Sequence, residues 1–375
     1  MITVYIGDIF ESKAQTLVNT VNCVGIMGKG IALEFKTRFP DMYDDYVQRC
    51  KDKEVKPGEP YLYKRLTPPW ILNFPTKDHW RSVSRLEDIV AGLRYLHAHY
   101  RQWGITSLAV PPLGCGQGQL EWRVVGPTLY RHLKELNISV DLFAPFGTAH
   151  DELSPAFLDD AGEGQTTPPP QGVSYRVAPG WVALVEILHS LENEPYHWPV
   201  GRTTFQKIAY FATESGIPTG LRYSRGSFGP YAPDVKRQIT VLVNNGLIRE
   251  ERLGRMFAVH VGQTFEDAQR AYARQLDAWR DTLAKIVDLF MRMNTPQAEI
   301  AATVHFAAKE LKQRSKGETS EVDILHEVME WKQRRRPPLN EKDVALTIRN
   351  LNMLSWIGAT VSGNLPVTEE DALSV

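Results

Sequence analysis

Residues 17–35 read LVNTVNCVGIMGKGIALEF. The stretch begins as a β-rich run, TLVNTVN (16–22), crosses three glycines, and continues with helical period as GIALEF. A strand that enters a helix through glycine is the elementary unit of an α/β fold. Here the turn also carries chemistry. Backbone N–H groups exposed by glycine, followed by a helix N-terminus, form a ready cradle for phosphate. Gly28, Lys29, Gly30, Ile31 and Ala32 have that arrangement.

The pattern repeats along the first 146 residues. Other β-rich runs are ITVYIGDI (2–9), WILNFPT (70–76), TSLAVPPL (106–113) and ISVDLFAPF (138–146). Between them lie helical segments at 30–50, 84–104 and 124–136. Pro40 should break the first in two. Leu86, Ile89, Val90, Leu93 and Leu96 mark the buried face of the second, with Ser84 as its expected N-cap. The run 106–113 leaves its strand through PLGCGQGQLEW (112–122), so Gly114, Cys115, Gly116, Gln117 and Gly118 form a second glycine loop. One reading of it is a tight turn; the other is close approach of a diphosphate. Neither loop is a P-loop or a dinucleotide fingerprint, because GxxxxGK[ST] is absent and no GxGxxG follows the first strand.

The bulk numbers fit two domains in 375 residues, with a formal net charge of −1 that gives no global basic field for nucleic acid. Three cysteines exclude a disulfide framework and a cysteine-rich zinc site. The start, MITVYIGDIF, shows no signal peptide, and no apolar run is long enough for a membrane span, so a cytoplasmic protein is expected. Residues 151–174 turn acidic and then rich in Gly, Thr and Pro, and read as a linker. From Tyr175 helical periodicity dominates: 180–193, 203–215, 233–246, 265–293, 296–313, 321–334 and 340–353. RLGRMFAVHVG (252–262) reads as a hairpin, and helix 233–246 followed by that hairpin gives a winged-helix-like portion. The expected organisation is 1–150, a linker 151–174, a mainly helical domain 175–365 and a tail 366–375.

GDI, LVNTVNCVGIMGKGIALEF and PPLGCGQGQLEW together resemble the macrodomains, which bind ADP-ribose, and within them the antitoxins of the DarT/DarG family. The resemblance covers essentially 1–150 and implies a mixed sheet flanked by helices. It implies that Asp8 accepts the adenine amino group with Ile9 beside it, that Asn22 bonds the distal ribose, and that the loops Gly28–Ala32 and Gly114–Gly118 hold the diphosphate. It makes Lys77, in NFPTKDHW, the catalytic residue. A lysine partly desolvated against an apolar wall has a lowered pKa and can act as a nucleophile.

The activity implied is hydrolysis of the N-glycosidic link between ADP-ribose and thymidine bases of single-stranded DNA, releasing ADP-ribose, with no metal or cofactor. The C-terminal domain would bind and neutralise a DarT-type toxin. One position departs from the pattern. The related hydrolases of terminal ADP-ribose carry an acid in the form GCGxD, and here that place is Gly118. The nearest acid, Glu121, reads as structural. Three other readings stay open: a hydrolase of ADP-ribose on protein carboxylates, a reader without turnover, and an antitoxin that works by contact alone. In the second domain, Arg222, Tyr223, Arg225, Phe228 and Tyr231 mix cations with aromatics, and Lys332, Arg334, Arg335 and Arg336 form a basic cluster that leaves DNA binding open.

Overall fold

A computed structural model describes residues 1–159, 176–253, 256–314 and 319–367. Most of the expected linker, Tyr175, the turn of the expected hairpin and most of the expected tail lie outside the described residues. Two compact units can be traced. The first gathers Met1–Val185, Gln238–Arg249 and Val261–Ala278, and the second Glu186–Arg237, Glu250–His260 and Trp279–Val375.

The first unit is built on a six-stranded sheet. Its strands are β1 (Ile2–Tyr5), β2 (Thr16–Asn22), β3 (Tyr61–Tyr63), β4 (Trp70–Lys77), β5 (Ser107–Val110) and β6 (Ser139–Phe143). Their spatial order is β1-β6-β5-β2-β4-β3. The first five run parallel, and β3 pairs antiparallel with β4 at one edge. The sheet is therefore mixed, as expected. The YLY strand β3 was not legible in the sequence: three half-buried residues between KPGEP and a proline run carry too little alternation.

The helices follow the sequence closely. Pro40 divides the first segment into α1 (Gly30–Arg38) and α2 (Pro40–Lys51), because a proline has no N–H to continue a helix but suits a first turn. Next come α3 (Leu86–Trp103) and α4 (Trp122–Lys134). The two faces of β2 separate the core into halves by strand alternation. Leu17 and Val21 join Phe35, Met42 and Tyr46 in one cluster with α1 and α2. On that same face Asn19 donates to Asn73 at 2.9 Å, and Asn73 donates to the Tyr61 hydroxyl at 3.1 Å. That buried chain of amides joins β2, β4 and β3. On the opposite face Phe74 of β4 lies against Gly92 of α3.

One expectation is corrected here. Ser84 does not cap α3. The N-cap position is Arg85, which makes no side-chain capping bond. Ser84 is fully buried instead, and its N–H donates to the Gly118 carbonyl at 3.0 Å. The second glycine loop has taken it away from the helix end.

The C-terminal region is mainly helical. Pro179–Asn193, Arg202–Glu214, Thr295–Arg314, Glu321–Lys332 and Glu341–Met353 match the expected helices within about two residues. The run 265–293 divides into Phe265–Ala271, Ala273–Ala278 and Arg280–Phe290. Helix Asp234–Asn244 is followed by a two-stranded sheet of Ile248–Leu253 and Met256–Val261, so the strand pair begins earlier than the sequence suggested, inside GLIREE. A small pair, Ser224–Gly226 with Gly229–Tyr231, was not anticipated.

Within the second unit, charge is folded inward. Glu321 is fully buried and accepts from Arg349 Nε at 3.0 Å and Nη2 at 2.9 Å. Glu299 holds Arg335 Nε at 2.9 Å, and Lys332 Nζ reaches the Ser227 carbonyl at 2.8 Å. Two of the four cations in the expected basic cluster are thus turned into the protein. Burial pushes the Lys332 ammonium down to about 8. Arg225 is likewise paired with Glu310 and Glu327. Among the described residues no helix is long and apolar enough to cross a membrane.

The contact of Gly92 with Phe74 gives a stability test. A Cβ at residue 92 would lie 2.5 Å from Phe74 Cζ, and Phe74 is itself fully buried. Gly92→Ala should cost about 1–3 kcal/mol through overpacking, despite the better helix propensity of alanine. Denaturant unfolding of the full chain checks this; an unchanged or raised midpoint would contradict it.

Candidate active site at the strand ends

Five parallel strands bring five carboxyl ends to one edge of the sheet. In open α/β sheets ligands bind there, beside the place where strand order reverses. Here β5 and β2 are adjacent while their chain neighbours lie to either side. The residues expected to bind ADP-ribose, and Lys77, follow these ends in the chain.

After β1, Asp8 is exposed and caps a short 3-10 turn, Ile9–Glu11, its Oδ1 accepting the Phe10 N–H at 3.0 Å. Ile9 is 4% exposed and packs in the core cluster with Leu17 and Phe35, so its side chain faces the sheet. Only its backbone stays beside Asp8. After β6, Phe146 is 84% exposed. The Ala144 N–H bonds the Tyr5 carbonyl at 2.8 Å, which keeps the ends of β1 and β6 side by side. Phe146 was missed in the sequence. The available signal was an aromatic next to the glycine that ends APFG, three residues beyond a strand.

After β2, the register with β4 shifts: Val21 pairs with Pro75, but Asn22 pairs with Lys77. This irregularity brings the two residues opposite each other. The Asn22 side chain closes the first loop. Its Oδ1 accepts from Val24 N at 3.0 Å and from the Tyr46 hydroxyl at 3.1 Å, and its Nδ2 donates to the Ile26 carbonyl at 2.5 Å. One amide hydrogen is left over. Beyond it, Gly28, Lys29 and Gly30 are exposed. Lys29 is the N-cap of α1 and makes no side-chain capping bond, and Gly30 has φ +58° with no atom within 4 Å of a Cβ position. The first N–H groups of α1 therefore face outward with positive potential. Ile31 and Ala32 lie against the core.

The second loop separates its glycines by job. Gly114 has φ +75°, and a Cβ there would meet Leu120 Cδ1 at 2.6 Å and Ile89 Cδ1 at 2.7 Å. At Gly118 a Cβ would meet Ser84 Oγ at 2.2 Å and the Gly114 carbonyl at 2.4 Å. Both are glycine because the protein packs against them. Of the three glycines in this loop, Gly116 alone is exposed with open space around its Cα. Cys115 is buried, its thiol pushed up by that burial, which leaves it inert. Glu121 is structural, as expected: it caps α4, and its N–H bonds Asn245 Oδ1 at 2.7 Å.

Lys77 ties these pieces together. It ends β4 half-buried, and its Nζ donates to the Gln117 carbonyl at 3.3 Å. Burial lowers its ammonium from the usual value near 10.5. On the other side, the Cys23 N–H bonds the Asp78 carbonyl at 3.1 Å, so the first loop is held to the end of β4. His79 leans on Trp80, with ring centroids 5.6 Å apart, while His97 and His99 stay on α3, away from the strand ends. Among the described residues no group of three or more His, Cys, Asp or Glu is placed to hold a metal ion.

Residues 18–129 match the family model described as Macro domain. This part of the chain is a macrodomain. Its macrodomain is similar to that of the DNA ADP-ribosyl transferase–DNA ADP-ribosyl glycohydrolase fusion protein of Thermosipho africanus, at 43% identity over 41% of this chain and 45% of that protein. It is also similar to the DNA ADP-ribosyl glycohydrolase of Mycobacterium tuberculosis, at 36% identity over 63% of this chain and 65% of that one. The chain spans less than two thirds of the length of these curated relatives. Among solved structures, the macrodomain of Mycobacterium tuberculosis DarG is 45% identical, with a TM-score of 0.38, covering 39% of this chain and 98% of that one.

The packing of the macrodomain's second loop makes a test of Gly118. Gly118→Asp should lower stability by about 1–3 kcal/mol, because a backbone carbonyl cannot move as a side chain can. Gly116→Ala, in open space, should leave the melting temperature where it is. Equal melting of the two variants would contradict this division of the glycines.

Proposed function

We propose that the macrodomain hydrolyses the N-glycosidic link between ADP-ribose and thymidine bases of single-stranded DNA, and that the helical C-terminal region binds a DarT-type toxin. The observation that carries the enzymatic part is the position of Lys77, half-buried and bonded to the carbonyl of Gln117 in the second glycine loop. The curated relatives named as DNA ADP-ribosyl glycohydrolases support the substrate class.

In this reading the two glycine loops hold the diphosphate through backbone N–H groups, and Asp8 takes the adenine amino group beside the exposed ring of Phe146. The remaining Asn22 amide hydrogen is directed to the distal ribose. The neutral Lys77 amine attacks the anomeric carbon. The bond from that carbon to the base nitrogen breaks, and the proton lost by the new ammonium goes to the departing base. Water then hydrolyses the lysine adduct, returning the amine and freeing ADP-ribose. Desolvation serves this step by raising the share of neutral amine near neutral pH.

A second reading has its own support. Lys77 pairs with a carbonyl, and the loop acid of related hydrolases is replaced by Gly118. A macrodomain that binds ADP-ribose without turnover would show those features. Single-stranded DNA carrying ADP-ribose on thymidine separates the two. The full chain should release unmodified DNA, and Lys77→Ala should lose at least about a hundredfold in rate, the size expected for removing a nucleophile. ADP-ribose binding with no release would leave the reader. Release by Lys77→Ala at the wild-type rate would move catalysis elsewhere.

The pH dependence has a definite sign. The deprotonated amine is the active form, so single-turnover rate should rise with pH through a midpoint below 10.5. A rate that falls across that range would exclude an amine nucleophile. For the toxin, co-elution of the full chain with a DNA-modifying partner by size-exclusion chromatography is the expected result; separate elution at micromolar concentrations would remove that part of the proposal.

A further inference from the structure

In the reaction proposed above the base leaves the distal ribose beside Lys77, and the residues that follow Lys77 form the turn Asp78–Ser82. That turn is stiff. The Asp78 carboxylate accepts the His79 N–H at 2.7 Å, and Ser82 N–H bonds the His79 carbonyl at 3.0 Å. The Arg81 N–H donates to His79 Nδ1 at 3.2 Å, and Cys23 anchors the turn through the Asp78 carbonyl. The Ser82 hydroxyl also bonds the Asp78 carboxylate and, with the His79 bond, holds it below the ordinary carboxylate range.

At the outer position of this turn stands Trp80, 44% exposed, three residues beyond Lys77. Its ring is stacked with His79 at 5.6 Å and 30°, and the Arg81 guanidinium lies 4.6 Å from its centroid. A large indole left in solvent loses the hydrophobic gain that usually buries it. An aromatic paired with arginine on a preordered turn is the surface that stacks bases of single strands, and preordering removes much of the cost of fixing it on binding.

We propose that Trp80, backed by Arg81, is a stacking platform for the nucleobase next to the modified thymidine, and so makes the site select a DNA strand over a protein side chain. The proposal rests on the DNA reading above and assigns that site its strand contact. It accounts for a flat aromatic at this rim, which a carboxylate-linked substrate on a protein would not use.

Two substrates test it: ADP-ribosylated thymidine mononucleotide, which has no neighbouring base, and an ADP-ribosylated single-stranded oligonucleotide. The wild type should prefer the oligonucleotide in kcat/KM. Trp80→Ala should reduce that ratio roughly tenfold, the size of one stacked base, through KM rather than kcat. Trp80→Phe should restore most of it, which a folding defect in the alanine variant could not explain. A wild type without length preference, or a ratio unmoved by Trp80→Ala, overturns the proposal while leaving the hydrolase reading intact. Failure of the wild type on both substrates overturns the hydrolase reading first, and the stacking platform with it.

Discussion

The side chain of Asn22 is the constraint on which the site depends. It stands where β2 ends and the register with β4 slips by one residue. From there its amide closes the first loop against Val24 and Ile26, while Tyr46 fixes both its carbonyl and its side-chain oxygen. Tyr46 is itself fully buried in the cluster that α1 and α2 form on the sheet. The loop's shape is thus an extension of core packing. The exposed glycines that follow need no side-chain support of their own, and the N–H groups that open α1 can stay unused by the protein.

The second loop follows a different economy. Its turn is forced by what packs beneath it: Leu120 and Ile89 under Gly114, Ser84 under Gly118. This explains a buried serine that has left its helix end, and a loop in which residue 118 has no room for a side chain. Lys77 then joins the two loops through Gln117 on one side, with Cys23 and Asp78 on the other. The Lys77 amine at this site is thus partly desolvated and held by one backbone carbonyl, that of Gln117.

The C-terminal region shows how misleading a linear charge cluster can be. Lys332 and Arg335 lie in a run of bases, yet both turn inward to Glu299 and to the carbonyl of Ser227. Helical period places Lys332 on the face of its helix that carries Leu325 and Val328, and burial follows from that face. Phe228, in the turn of a short strand pair, and Tyr231, on its second strand, by contrast remain 59% and 47% exposed.

By itself the sequence determined the alternation of strands and helices, the break at Pro40, the buried face of α3, the two glycine loops and the helical character beyond residue 176. These are local: they follow from apolar period, proline's missing N–H and glycine's freedom, all readable within a few residues. Only the tertiary structure decided strand order, the pairing of Asn22 with Lys77, the capture of Ser84 by Gly118, the inward turn of Lys332 and the isolation of Gly116 as the open glycine. Each depends on residues far apart in the chain meeting across a sheet or beneath a loop, and the space left beside a Cα atom is set by those neighbours rather than by the residue itself.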